Sequence, residues 1–153
     1  MIKTFAPAVL AATPTISAFG GGMYLNFNTA DASPEAKAKG AAFIVRMEGC
    51  HDAAKATYTG VAEGLVNGER KTIPLEILPL TSPGMFAIKF ARPDTGVWIL
   101  HVKSENEGAK VAVLLPLQSE RGFDRKNIRY AYNKPFSTGD VAAALSALAA
   151  TGT

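Results

Sequence analysis

The sequence predicts a mainly β protein, an antiparallel β-sandwich with one C-terminal α-helix packed on it. Three observations predict it. Between Ala41 and Gln118, short apolar runs alternate with turn residues every dozen positions or so. After Ser137, an alanine-rich run carries its larger apolar residues at helical spacing. The chain has 153 residues, 48% apolar and 19% charged, with a single Cys. That length and composition suit one domain with a real core, and they exclude a disordered chain. One cysteine excludes an internal disulfide framework. The net charge of +3 is too mild to mark a nucleic-acid binder by itself.

The first element is not ordinary domain sequence. After Lys3 no charged residue occurs until Asp31, a stretch of 27 positions that includes Phe5, Leu10, Ile16, Phe19 and Leu25. With Lys3 as a minimal positive n-region, residues 1–32 read as a signal peptide. Ala30-Asp31-Ala32 offers the small-x-small pattern of a cleavage site after Ala32, and a poorer match lies after Ala18. Pro7, Pro14 and Gly20-Gly21-Gly22 break any helix, which argues against a transmembrane span. The alternative is a strand or arm packed on the domain. The expected division is therefore 1–32 as signal peptide or arm, and 33–153 as one sandwich domain. A periplasmic or secreted location follows from the first option.

Six strands are expected next. Ala41–Glu48 alternates Phe43, Val45 and Met47. Lys55–Val66 leads into Asn67-Gly68, a dipeptide suited to the positive φ angles of a tight hairpin. Lys71–Leu80 carries Ile73, Leu75 and Ile77 in alternation, and Ser82-Pro83-Gly84 turns the chain. Phe86, Ile88 and Phe90 alternate, followed by the turn Pro93-Asp94-Thr95-Gly96. Val97–Lys103 holds the lone tryptophan, and a polar loop at Glu105–Gly108 precedes Lys110–Leu117. Trp98, Leu100 and Val102 should enter the core. Val97 and Ile99 fall on the other face with His101 and Lys103, and two β-branched aliphatics there require a cover. The helix, at about 138–150, is the candidate. Ser137 and Asp140 resemble a capping pair, and Val141, Ala144, Leu145 and Leu148 form one stripe. A helix this short needs to dock to be stable.

Ala62-x-Gly64-x-x-x-Gly68-x-Arg70, Pro83-Gly84-x-Phe86 and Pro93-x-x-Gly96-x-Trp98-x-Leu100-x-Val102 carry a resemblance over roughly residues 41–117. This region resembles the small immunoglobulin-like β-sandwich domains of bacterial secreted proteins, including the YtkA-like and FixH-like periplasmic groups. The resemblance implies an extracytoplasmic accessory or binding module, in some members connected with copper handling. In this chain the four Met and two His form no sequence cluster.

Candidate chemistry is sparse. Cys50-His51-Asp52 joins thiol, imidazole and carboxylate, but a catalytic pair needs side chains in mutual contact, and consecutive residues diverge. A turn with Asp52 capping local amides is the simpler reading. Arg46 and Glu48 occupy the place of an apolar lipobox, which argues against a lipidated Cys50. Cu(I) is the metal that Cys50, His51 and His101 would suit. Residues 120–134 contain Arg121, Arg125, Lys126, Arg129 and Lys134 against Glu120 and Asp124, a local +3 interleaved with Phe123, Tyr130 and Tyr132. Arg121, Arg125, Lys126 and Arg129 are thus candidate polyanion ligands. An extended connector with solvated cations is the plainer alternative. There is no phosphate-binding glycine motif and no Gly-x-Ser-x-Gly elbow, and Glu35, Glu48, Glu63 and Glu76 are scattered. The expectation is a non-catalytic exported binding or accessory module without cofactor, meeting a protein or cell-envelope component rather than nucleic acid. The alternative is a periplasmic copper-binding protein using Cys50 and His51, and a cysteine enzyme ranks last.

Overall fold

Alternating burial along the strands sorts the side chains into layers, and the layers define the fold. The computed structural model describes residues 22–49, 52–118 and 122–151. In chain order its elements are β1 (Tyr24–Thr29), α1 (Pro34–Ala38), β2 (Phe43–Glu48), β3 (Thr57–Val66), β4 (Glu69–Pro74) and β5 (Glu76–Pro79). Then follow β6 (Met85–Lys89), β7 (Val97–Asn106), β8 (Ala109–Gln118), β9 (Gly122–Phe123), β10 (Arg129–Tyr132) and α2 (Thr138–Thr151).

Two antiparallel sheets result. Sheet 1 runs β1-β2-β6-β5, and sheet 2 runs β10-β8-β7-β3-β4, with β9 also paired to β8. Lettered in chain order, β1 to β8 give A-B-E-D facing G-F-C-C′. That is the strand order of an immunoglobulin-type sandwich, with β9 and β10 added beyond the last strand. Leu25, Phe27, Val45, Met47, Ile88, Trp98, Leu100, Val102, Val113 and Leu115 fill the space between the sheets. Trp98, Leu100 and Val102 thus face inward as expected. Gly64 is directly under the indole, because a Cβ there would come within 2.6 Å of Trp98 Cζ3.

Each sheet also has a covered outer face. On sheet 1, Ala36 of α1 packs on Ile44 and Ala87 with Leu80. On sheet 2, Val141 and Leu145 of α2 bury Ile99 and Leu114, with Val97 and Leu65 beside them. Leu145 is 1% exposed, and burying a leucine contributes about 2 kcal/mol. The capping pair forms as expected: Ser137 Oγ accepts from Asp140 N at 3.1 Å, and Asp140 Oδ2 accepts from Ser137 N at 2.8 Å.

Three boundaries differ from expectation. Of the two expectations for residues 1–32, the described part follows the strand packed on the domain: β1 pairs along its whole length with β2 and buries Leu25 and Phe27, so the sandwich starts before residue 33. Second, the expected strand Lys71–Leu80 is two strands in different sheets: β4 pairs β3, whereas β5 pairs β6. Pro74 has no N–H to donate, and Leu75 N instead donates to Gly60 O at 3.1 Å as the chain crosses over. Third, the expected loop Glu105–Gly108 contracts to Glu107-Gly108. Their φ angles of 50° and 84° match Asn67-Gly68 at 52° and 81°, so both hairpins close in two residues.

Candidate functional site

Among the described residues, the basic, aromatic segment after β8 sends its cations to two different sides. Phe123 enters the core edge-on to Phe43, with ring centroids 5.9 Å apart. Arg125 stacks over Phe123 at 4.8 Å and donates to Asn28 Oδ1 of β1 at 3.0 Å. Asp124 caps the turn, accepting from Lys126 N at 3.0 Å and Asn127 Nδ2 at 2.6 Å. Those bonds hold its carboxyl below the usual range, the Asn127 amide most of all. Lys126 and Arg129 instead line a groove of about 430 Å³ against Ala143, Ala147 and Leu148 of α2. The Arg129 guanidinium is 5.5 Å from the Phe136 ring centre. Arg125 therefore serves the edge of sheet 1, while Lys126 and Arg129 serve the helix side of sheet 2. Arg121 lies outside the described residues.

What the segment does build is a tyrosine surface across the open side of the sandwich. Residues two apart on a strand share a face, so Tyr130 and Tyr132 project together from β10. Their rings are parallel to within 9° with centroids 6.3 Å apart. Tyr130 donates to Leu25 O at 2.8 Å, tying β10 to β1. On β1, Tyr24 donates to Glu48 Oε2 at 2.5 Å, and Asn26 Nδ2 donates to Glu48 Oε1 at 3.3 Å. These bonds lower the Glu48 carboxyl, and the neighbouring Glu48 raises the Tyr24 hydroxyl. Burial raises the Tyr130 hydroxyl. Among the described residues, the exposed large hydrophobics are Tyr24 at 44%, Tyr130 at 38% and Tyr132 at 52%. Tyr130 and Tyr132 share one face of β10, and Tyr24 lies on the outward face of β1, the strand whose Leu25 carbonyl Tyr130 reaches.

The sheet edges differ in the same sense. On the far side, β4 carries Glu69, Arg70, Lys71 and Pro74, and β5 carries Glu76 and Pro79. Charge and proline are the usual guards of a strand edge. On the tyrosine side, β1 has no charged residue and β10 has only Arg129. Tyr130 and Tyr132 were visible in the sequence as aromatics at strand spacing. Tyr24 was missed because it sits in the uncharged N-terminal stretch.

The metal candidates are placed differently. Cys50 and His51 lie outside the described residues. Beside them, Asp52 Oδ1 accepts from Ala54 N at 3.1 Å, the capping role expected of it. Asn106 Nδ2 donates to Asp52 O at 2.8 Å and approaches Met47 Sδ at 3.1 Å. Tyr58 and Ser104 are cross-strand neighbours facing inward at this end of the core. Burial pushes the Tyr58 hydroxyl up to about 12, against the opposing effect of Ser104 and the Met47 backbone. His101 is five residues back along β7 from Asn106, about 16 Å at strand rise, and on the opposite face of sheet 2. It is 7% exposed beneath Phe136, with ring centroids 5.9 Å apart. Among the described residues, no three His, Cys, Asp or Glu side chains cluster as a metal site would require.

Set against known proteins, the chain matches no family model, no curated protein and no solved structure. No helix among the described residues is long and apolar enough to cross a membrane.

Proposed function

We propose that the protein is a non-catalytic binding or accessory module, exported to the periplasm or beyond. It meets a protein or cell-envelope component through the side of the sandwich where β1 and β10 run together. The observation that carries this reading is that the exposed tyrosines Tyr24, Tyr130 and Tyr132 all lie on β1 and β10, the two strands that Tyr130 ties together. Tyrosine suits such a role, since it offers a large rigid ring with a polar end. The guarded edges β4 and β5 support the same choice of side, because they discourage strand-to-strand contact elsewhere. Export is supported by the uncharged stretch between Lys3 and Asp31. Cleavage after Ala32 would remove β1, so processing on this reading occurs after Ala18 or not at all.

Site-specific photocrosslinking in the native host tests the reading. A crosslinker in place of Tyr132 is expected to capture an envelope component, and one in place of Lys71 on the guarded edge is not. No capture at position 132, or equal capture at both positions, overturns it. Recovery of the protein only from the cytoplasmic fraction overturns the export half.

A further inference from the structure

One bond fixes the backbone direction of β10. Asn133 N donates to Lys110 O at 2.9 Å, so Asn133 faces β8, and Ala131 and Arg129 face it too. In an antiparallel ladder a residue's N–H and C=O share a side, and the side alternates residue by residue. The N–H and C=O of Tyr130 and of Tyr132 therefore point away from β8, where sheet 2 ends. Among the described residues, no backbone group pairs with these four. The other edges are guarded or latched. β5 is as short as β10 but carries Glu76 and Pro79, and β4 carries Glu69, Arg70, Lys71 and Pro74. β1 is latched by Tyr130 on Leu25 O and by Arg125 on Asn28. β10 has Arg129 as its one charge and no proline, so its free edge is a template for another strand.

The edge is complementary to itself. With a two-fold axis at Ala131, Tyr130 faces Tyr132 of a second copy, and Tyr132 faces its Tyr130. Both are then hydrogen-bonded pairs, so the free groups of the two copies satisfy one another with none left over. Centring the axis on either tyrosine instead sets the other against Ile128 or Lys134, outside the strand. The side chains agree with the first register. Tyr130 and Tyr132 pair with the inward residues Val113 and Val111, so their rings lie on the sheet 1 side of β10, 38% and 52% exposed. In the joint the rings of one copy lie across from those of the other and cover them. Arg129 meets the neutral Asn133 of the second copy. The two Arg129 positions stand four residues apart along the joint, about 14 Å, beyond the screening length of about 8 Å at physiological salt.

We propose that two copies of this chain pair antiparallel along β10, joining their second sheets into one. Four residues a side bury less than the roughly 1,200 Å² of a standard interface, so the dimer is expected to be weak, with a dissociation constant of about 10–100 µM. The pairing takes the β10 edge and leaves Tyr24 on the outward face of β1 open. It therefore goes beyond the binding-module reading and does not depend on it.

Sedimentation velocity of the full chain from about 1 µM to about 1 mM tests it. The chain is expected to pass from monomer to dimer and to stop there. Hydrogen exchange at the upper concentration should slow at the amides of Tyr130 and Tyr132. Tyr132→Pro removes an outward N–H from each copy and leaves the bonds to β8 in place. Tyr132→Lys keeps that N–H and sets two like charges within about 10 Å of each other in the joint. Each variant should weaken the dimer by about tenfold or more with an unchanged circular dichroism spectrum. A monomer at every concentration overturns the proposal, as does growth beyond two copies. A dimer that ignores both variants, or that leaves exchange at Tyr130 and Tyr132 unchanged, uses another surface and also overturns it. Capture of an envelope component at position 132 by a chain that stays monomeric overturns the second copy and leaves the binding module standing. Capture there of a second copy alone supports the pairing and removes the binding module instead.

Discussion

Trp98 is 1% exposed, its indole N–H donates to Thr95 O at 3.0 Å, and Phe90 packs on it at 5.8 Å. The buried ring is held by Thr95 and Phe90 and cannot easily retreat from Gly64. Gly64→Ala is therefore expected to lower the unfolding free energy by about 1–3 kcal/mol, measured by urea denaturation. His101 makes a different expectation. Burial is the main cause that lowers its pKa, Lys103 adds to it, and Glu63 opposes. The folded state thus favours neutral imidazole more than the unfolded chain does. Its contribution to stability is complete above the ordinary value of 6.5 and declines as pH falls below that, down through the folded-state pKa. Melting temperature followed downward from pH 7 should fall in that window, and His101→Gln should fall less. Period-two reading placed both residues on their faces from sequence alone. It missed Tyr24, whose role depends on Glu48 and on Tyr130, residues distant in the chain.

Helix α2 has its use written in its own stripe and in that of β7. Neither Val97 nor Ile99 can face water cheaply, and Val141 and Leu145 supply the missing cover. Leu145→Asp should lower the melting temperature sharply, since truncating a buried leucine alone costs about 2–5 kcal/mol. Ser137→Ala removes the cap and should cost about 1 kcal/mol, read from the same denaturation curves. A melting temperature unmoved by Leu145→Asp would show that the helix is not docked in solution. Elsewhere, element boundaries were less legible. Ile73, Leu75 and Ile77 keep one alternation across what are two strands, because all three face the same core. Side-chain pattern records only the face, whereas Pro74 and the backbone pairing decide the sheet. The spread of the basic segment was hidden for a related reason: Arg125 and Arg129 are four apart, but the Arg125 side chain reaches Asn28 of sheet 1 while Arg129 turns to Phe136 on the helix side of sheet 2.

At the scale of the molecule, two sheets in immunoglobulin order are closed at one side by β1. A chain beginning at residue 33 lacks that strand and loses Leu25 and Phe27 from the core. It should express as an unfolded or aggregating species, whereas a chain beginning at Phe19 should give a cooperative melt. Circular dichroism with thermal ramping distinguishes them, and equal melts would return β1 to the status of a dispensable arm. The sandwich itself was legible because turns and alternation are local signals. Two of the strands among the described residues were not, because β9 and β10 span only two and four residues, too short for alternation to mark them.

The clasp on β1 has a consequence for timing. Tyr130 reaches back 105 residues to Leu25, and Arg125 reaches back 97 residues to Asn28. Contacts so distant along the chain form late, since the intervening segment must first be ordered. During synthesis the first strand can pair with the second, yet its outer edge stays unlatched until nearly the last element has emerged. An exported chain benefits from that delay. If the chain is exported as proposed, it would stay threadable during the crossing and close only once its C-terminal part had followed.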